Sequence, residues 1–419
     1  MNDDSQLDNF GERIRMRRRD VMKLMAAGAM FPLPAFAQSS KSDSGPIRIG
    51  VLNDQSSVYS VDGGVETVEA VKMACEDAGE VLGHKVEVVA ADHQNKADLG
   101  ASIARRWFER DGVDAVADVT NSSVGFAVQA LSTEKKKIAL TVGAVSSDFT
   151  GKSCSPYLVA WGQDTWSLAN IIGSAVIKNG GDTWYFVGVD YGFGHAMVKD
   201  TSAVVRANGG KVLGSVFAPL NTSDFSSFIL QAQASKAKIV GLANSSGDTL
   251  NCIKQAAEFG LVKRGQKLVA YIIMLSHIKS LTLPVAQGLL VANSFYWDLN
   301  EETRAWSKRF ADRVGHPPDF DPANNYSAVA HYLKAVKAVG SRDPDAVMAK
   351  MRELPVNDFM TKNGKLRLDG RLERPMYLLE VKSPEESKHE WDIYKVVETI
   401  PGASAFRPMS EGNCPLVKG

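Results

Sequence analysis

A chain of 419 residues, at roughly 100–200 per domain, has room for two or three domains. Hydrophobic residues make up 44% and charged residues 23%, which is too apolar for disorder, and 48 basic side chains balance 48 acidic ones, leaving no cationic excess for a nucleic-acid backbone. No apolar run reaches the roughly 18 residues of a membrane span, so a polytopic membrane protein is excluded.

Residues 13–23, RIRMRRRDVMK, carry a basic cluster; the apolar stretch LMAAGAMFPLPAFA and the polar run QSSKSDSG follow. That order is a secretory leader, with small residues at Ala35-Phe36-Ala37 predicting cleavage after Ala37. Pro32 and Pro34 break an apolar core already too short to span a bilayer, and an amphipathic membrane-surface helix is the other reading. Arg18-Arg19-Asp20-Val21-Met22-Lys23 fits the twin-arginine pattern, which predicts export of the folded protein by that machinery. A linker over 38–45 then leads into the body, and removing the leader keeps the chain near neutral.

From Ile47 the pattern alternates strand and helix. Predicted strands at 47–54, 85–92, 114–119 and 138–143 enclose helices near 62–79, 96–110 and 123–136. The strands are continuous apolar runs, as in a parallel sheet covered on both faces. The rhythm breaks at 151–164 and restarts with a helix near 165–178. Strands at 183–190, 211–219, 238–244 and 267–275 then alternate with helices near 194–208, 224–235 and 248–259. The remainder supplies an apolar run, LLVANSFYW, helices over 300–314, 322–339 and 343–353, and β-rich segments KLRLDG, MYLLEVK and WDIYKVV. The fold class this predicts is α/β: two doubly wound lobes with a cleft between them, and a third portion that crosses back, making a three-segment hinge. The lobes are expected at 46–158 plus about 290–357, and at 159–289 plus about 358–400, with a tail over 401–419.

Ligands of such sheets bind beyond the carboxyl ends of the strands, so loops 53–62, 120–124, 143–148, 190–194 and 244–248 should face the cleft. Asn121-Ser122-Ser123 stands between a strand and a helix, where side chains cap the helix or hold an anion at its N-terminus. Gly143-Ala144-Val145 ends the next strand, and small residues there admit a ligand close to the backbone. Tyr59, Trp161, Asp164, Tyr191 and Ser245 occupy comparable positions, and Trp297 lies near the later crossing. Each aromatic taken alone reads as core; their common placement at strand ends points to a site.

Enzyme chemistry finds no support. The seven histidines show no metal-ligand spacing, and HExxH and GxSxG motifs are absent. Gly151-Lys152-Ser153 lacks the earlier glycine of a phosphate loop. Gly192-Phe193-Gly194 opens a helix after a strand, yet Met197 replaces the third glycine of a dinucleotide fingerprint and the next strand ends without an acid. No metal or cofactor is expected. Of the four cysteines, Cys75 and Cys252 lie in helical patterns and read as buried thiols; Cys154 and Cys414 lie in loops beside prolines. Four cysteines allow three pairings, and Cys154–Cys414, tying the tail to the body, is the one expected.

From Pro46 to about Asn413 the chain resembles the periplasmic solute-binding proteins of ABC importers, of the branched-chain amino acid and amide type. The carriers are IRIGVLNDQSSVYSVDGGVETVEAVKMACED, NSSVG, TVGAVSSDFTG, VDYGFGHA and ANSSGDTLNCIKQAAEFGL. The resemblance implies two Rossmann-like lobes joined by three hinge strands, a monomer in the periplasm, closure on one solute and delivery to an ABC permease in the inner membrane. By motif position it implies that Ser122 and Gly143–Val145 anchor a ligand carboxylate and that Tyr59 and Tyr191 form aromatic walls. One departure bears on the solute. The stretch 265–283, where the family places an acid for a ligand ammonium, contains no Asp or Glu, and Leu275 sits near that place. Burying an ammonium without a counter-charge costs several kcal/mol. The solute expected is therefore a small organic acid, aromatic acids included; a branched-chain amino acid or amide is the alternative, with Asp164 or Asp190 as substitute. A sensory receptor on the same scaffold is a further alternative.

Overall fold

The computed structural model describes residues 45–417; the expected leader, its cleavage point and all but the last residue of the linker lie outside them. The first sheet is built from β1 (Ile47–Asn53), β2 (Val86–Asp92), β3 (Ala115–Asp118), β4 (Ile138–Thr141) and β5 (Leu158–Ala160), in the order β2-β1-β3-β4-β5, all parallel. Its crossovers are α1 (Gly64–Ala78), α2 (Ala97–Arg106), which ends in a π-turn at Trp107–Asp111, and α3 (Ser122–Lys135). One face of the sheet buries Ile47, Ile49 and Val51 against Val71 of α1; the other buries Leu52 and Val116 against Trp107 and Val128. Both faces covered is what the unbroken apolar runs require.

Chain then crosses through α4 (Thr165–Leu168), a π-turn and α5 (Ser174–Lys178) into a second parallel sheet, β7-β6-β8-β9. Its strands are β6 (Thr183–Val189), β7 (Lys211–Ala218), β8 (Ile239–Ala243) and β9 (Lys267–Ala270), linked by α6 (Gly192–Ala207), α7 (Ser226–Ala234) and α8 (Ser246–Glu258). The Gly192/Gly194 turn is steric in origin: a Cβ on Gly194 would lie 2.0 Å from the Val189 carbonyl oxygen, so the helix can start directly off the strand only with glycine there. The expected strand over 267–275 stops at Ala270, because Tyr271–Met274 leave the sheet and α9 (Leu275–Leu281) and α10 (Leu283–Ala286) follow.

The remainder splits between the lobes. β10 (Leu290–Asn293), β13 (Met376–Val381) and β14 (Tyr394–Ile400) form an antiparallel sheet whose Val291, Leu379 and Tyr394 share a core with Val187 and Leu242 of the second sheet. Between them α11 (Glu301–Val314), α12 (Phe320–Val339) and α13 (Pro344–Glu353) return to the first lobe, where Tyr332, Val336 and Met351 pack with β1. The short pair β11 (Lys365–Leu366) and β12 (Leu372–Glu373) also joins that first core through Leu366 and Leu372. On this packing Val291 of β10 sides with the second core and Leu366 and Leu372 with the first; the sequence puts the lobe changes at about 290 and about 357. Hydrophobic runs reveal that a strand exists but not which sheet it joins.

A tail follows β14. After α14 (Gly402–Ala405), the Arg407 guanidinium donates to the Ser147 carbonyl oxygen at 2.8 Å, and Cys414 is disulfide-bonded to Cys154, Cα atoms 5.6 Å apart. Cys75 and Cys252 are free and buried. Burial pushes both thiols up to about 12, so neither is a ready nucleophile.

Candidate functional site

Strand order decides where a ligand can sit. In the first sheet the order reverses between β1 and β3, in the second between β6 and β8, and the loops leaving those four strands diverge to opposite faces and open a crevice. Tyr59 follows β1, Ser122 follows β3, Tyr191 follows β6 and Ser245 follows β8; all four line one narrow cavity of about 30 Å³. Gly143 and Val145 after β4, Thr120 before α3, and Phe193, Ile272, Met274 and Phe320 complete the walls with Asp62 and Asp321.

The two lobes meet across this cavity. The Tyr59 and Tyr191 hydroxyls are 2.9 Å apart, the Ser246 hydroxyl donates to the Val58 carbonyl oxygen at 2.7 Å, and the Ser245 hydroxyl lies 3.5 Å from Asp62 Oδ2. Burial holds both tyrosine hydroxyls well above their ordinary pKa, so they stay neutral and act as hydrogen-bond groups. Five helices begin at the cavity, with Ser122, Tyr191, Ser245, Met274 and Phe320 at or beside the starts of α3, α6, α8, α9 and α12. At α6 and α8, which no side chain caps, the first-turn N–H groups give the walls a positive bias.

Backbone geometry tightens the first-lobe wall. Asp118 and Val119 both take left-handed conformations, at φ 74° and 57°, unusual for any side chain and costly for a β-branched one. The turn they make brings Asp118 Oδ1 to 3.2 Å from the Gly143 N–H. A Cβ on Gly143 would lie 2.7 Å from the Thr120 Cα, so only glycine fits where the two strand ends converge.

Not every residue expected at the site reaches the cavity. Asn121 is the N-cap of α3, its Oδ1 accepting the Ser123 and Val124 N–H groups, and Ser123 lies behind it on the helix. Ala144 packs with Phe149 in a small core. Trp161 is fully buried beside Val159, its Nε1–H donating to the Ser327 hydroxyl at 2.8 Å. Asp164 caps α4 and pairs with Arg371 at 3.2 Å. Trp297 donates to the Trp391 carbonyl oxygen, away from the cavity. Asp190 is exposed and bonds His195 at 2.8 Å.

Two residues the sequence reading passed over carry the electrostatics. Asp62 closes the flagged 53–62 loop, and Asp321 is in the first turn of α12. The Met274 N–H donates to His277 Nδ1, which leaves the imidazole proton on Nε2, 3.3 Å from Asp62 Oδ1. Asp321 is 1% exposed, and its Oδ1 has no hydrogen-bond partner. Burial and the neighbouring charges of Asp118, Asp62 and Asp319 hold its carboxyl well above the usual range. Burial likewise pushes Asp319 up to about 7 and Asp118 up to about 6, the latter against hydrogen bonds from Asn53, Asn325, Gly143 and Thr120. The acid sought in 265–283 is absent, as the sequence says, but the cleft is not without acids.

A family description of periplasmic binding proteins matches residues 46–388. The chain belongs to that family. It is a solute-binding protein and not an enzyme. It is similar to a periplasmic binding protein from Burkholderia mallei, with 47% identity, a TM-score of 0.87, and coverage of 89% of this chain and 99% of that one. It is also similar to a branched-chain amino acid ABC transporter periplasmic ligand-binding protein from Burkholderia xenovorans LB400, at 41% identity and a TM-score of 0.79, covering 88% of this chain and 99% of that one. Among sequence relatives, Leu/Ile/Val-binding protein homolog 1 of Brucella melitensis is 25% identical over 304 residues, 72% of this chain and 80% of that protein.

Proposed function

We propose that this protein is exported through its twin-arginine leader, cleaved after Ala37, and works in the periplasm as a monomer. There it captures one small organic solute by closing its lobes and hands it to an ABC permease in the inner membrane. The observation that carries this reading is the interlobe cavity, with polar groups from the loops of both sheets meeting across it. A ligand touching both walls stabilises the closed arrangement by contacts the open one lacks. The lobes are drawn nearly together here, leaving about 30 Å³ between them, so a solute enters as they part; Phe193, Ile272, Met274 and Phe320 suit an apolar body.

The small organic acid expected from the sequence, aromatic acids included, fits those apolar walls and the helix N-termini. The carboxylates of Asp62 and Asp321 favour the alternative, a solute that also carries an amine, because an acid alone would be buried beside two others. Delivery to an importer is favoured over sensing by the transporter ligand-binding protein at 41% identity. The test is small-angle scattering and thermal shift across a library of acids, amines, amino acids and amides. The reading requires at least one member to raise the melting point and compact the protein; chemical conversion of that member, or compaction by none, would refute it.

A further inference from the structure

We propose that the second lobe carries a separate binding site, at the end of its sheet remote from the interlobe cavity, for a straight-chain monocarboxylate of medium length. This site goes beyond the capture reading above and stands or falls apart from it.

Its ground is a gap in the packing. β8, β9 and β10 begin at Ile239, Lys267 and Leu290, and beside those starts, next to the end of α5, lies a cavity of about 350 Å³. That falls within the roughly 300–1,000 Å³ of small-molecule sites. Ile239 and Val269 are buried in its wall, whereas Val176 of α5 and Leu290 are only half-buried, and α5 buries none of its five residues. Protein interiors pack without gaps of this size, so apolar walls held apart in this way suit an apolar guest. What else the guest carries follows from the charges. Lys238 and Lys267 line the cavity, and no Asp or Glu does. Asp182, outside the lining, holds the Lys238 ammonium at 2.8 Å, but the Lys267 ammonium has no ion pair or hydrogen bond among the described residues. A main-chain donor stands beside it. The Lys267 N–H donates to the Lys238 carbonyl oxygen at 2.8 Å, so the main-chain groups of the next residue, Leu268, point the other way, off the open edge of the sheet that β9 forms. A carboxylate can take the Lys267 ammonium and the Leu268 N–H together while its chain lies against Val176, Val269 and Leu290. An inorganic anion would leave those walls unused, and an alcohol would leave the ammonium unpaired.

Butanoate, hexanoate and octanoate, with 1-octanol as the uncharged match, are titrated calorimetrically into the wild-type protein, Lys267→Glu and Val176→Trp, with scattering to follow lobe closure. Octanoate should bind one to one and leave the scattering curve unchanged, and affinity should rise about two- to fourfold with each added methylene. Lys267→Glu should weaken octanoate at least about fivefold and leave 1-octanol unaffected. Val176→Trp, which fills the cavity, should abolish the binding of both. Lys267 is exposed, so its variant reads the site even where Val176→Trp does not fold. Octanol held as tightly as octanoate would overturn the carboxylate assignment. Octanoate that compacts the protein, that binds Lys267→Glu as tightly as the wild type, or that shows no saturable binding would overturn the site itself. Capture of a solute between the lobes survives each of these outcomes, and its own failure in the library screen would leave this site standing.

Discussion

Replacing Arg371 with methionine should be among the most damaging single changes in this protein that leave the solute cavity untouched. Its guanidinium is buried, pairs with Asp164 at 3.2 Å, donates to the Gly162 carbonyl oxygen, and lies 4.8 Å from the Phe406 ring centre. These partners come from the first crossing between lobes and from the tail, so one side chain ties two chain passages together at the hinge. Removing it leaves the Asp164 carboxylate, itself 2% exposed, without its counter-ion, a loss of about 3–5 kcal/mol. The lost stacking on Phe406 adds about 0.5–2 kcal/mol. Against a total stability of about 5–15 kcal/mol, the urea midpoint followed by tryptophan fluorescence should fall by about a quarter or more. Asp164→Leu should cost a similar amount, including about 1 kcal/mol for the lost cap of α4. The double variant Arg371→Met/Asp164→Leu should then be at least about 2 kcal/mol more stable than the sum of the singles implies. A loss below about 1 kcal/mol for Arg371→Met would refute the ion-pair reasoning. Weakened solute binding by Asp164→Asn at unchanged stability would return Asp164 to the ligand.

Removing the Tyr191 hydroxyl as Tyr191→Phe leaves the buried Tyr59 hydroxyl without its cross-lobe partner, and should weaken the solute identified by the library screen about five- to tenfold at little cost in melting point. Ser122→Ala should weaken carboxylate-bearing solutes by a similar factor; unfolding of both variants would mark these residues as core. The pH dependence follows from groups whose folded pKa is raised: Asp319 to about 7 and Asp118 to about 6 by burial, and the partly exposed His316 to about 9 by its hydrogen bond to Glu66. Such groups contribute stability that is complete below their unfolded values and lost as pH rises through the folded ones. His93, lowered to about 4 by burial, opposes them. The unliganded protein should therefore be about 2 kcal/mol more stable at pH 6 than at pH 8, with Asp319→Asn removing about 1 kcal/mol of that difference; greater stability at pH 8 would contradict it. Thiol titration should find no reactive cysteine in the native oxidised protein and two after unfolding, and reduction of Cys154–Cys414 should cost about 2–5 kcal/mol.

The two parallel sheets were readable because their strands are apolar without interruption, and the helices because their periodicity persists over many residues. The limits have physical reasons. Lys267–Leu275 reads as one strand since Tyr271–Met274 are as apolar as Lys267–Ala270; the former face the cavity and the second core, and hydrophobicity is the same in either place. WDIYKVV begins its strand only at Tyr394 and runs on to Ile400 through the polar Glu398 and Thr399, which carry no apolar signal. Tyr59, Ser122, Gly143, Val145, Tyr191 and Ser245 could be placed at the site from their position just past a strand. Trp161 shares that position, but its ring turns into the first core toward Ser327, and the direction of a side chain is not set by its place in sequence alone. Asp321 was out of reach for another reason: it arrives from α12, far along the chain, as an acid in the first turn of a helix, where acids are ordinary.

The bond between Cys154 and Cys414, 260 positions apart, closes the chain between them into a covalent ring that contains the whole second sheet and every later passage between lobes. A single backbone cut in any exposed loop of that ring would open it without releasing a fragment, and two pieces would separate on a denaturing gel only after reductant. Should the second lobe unravel, it would stay leashed to its neighbour at both ends and refold against it as a short-range, concentration-independent event.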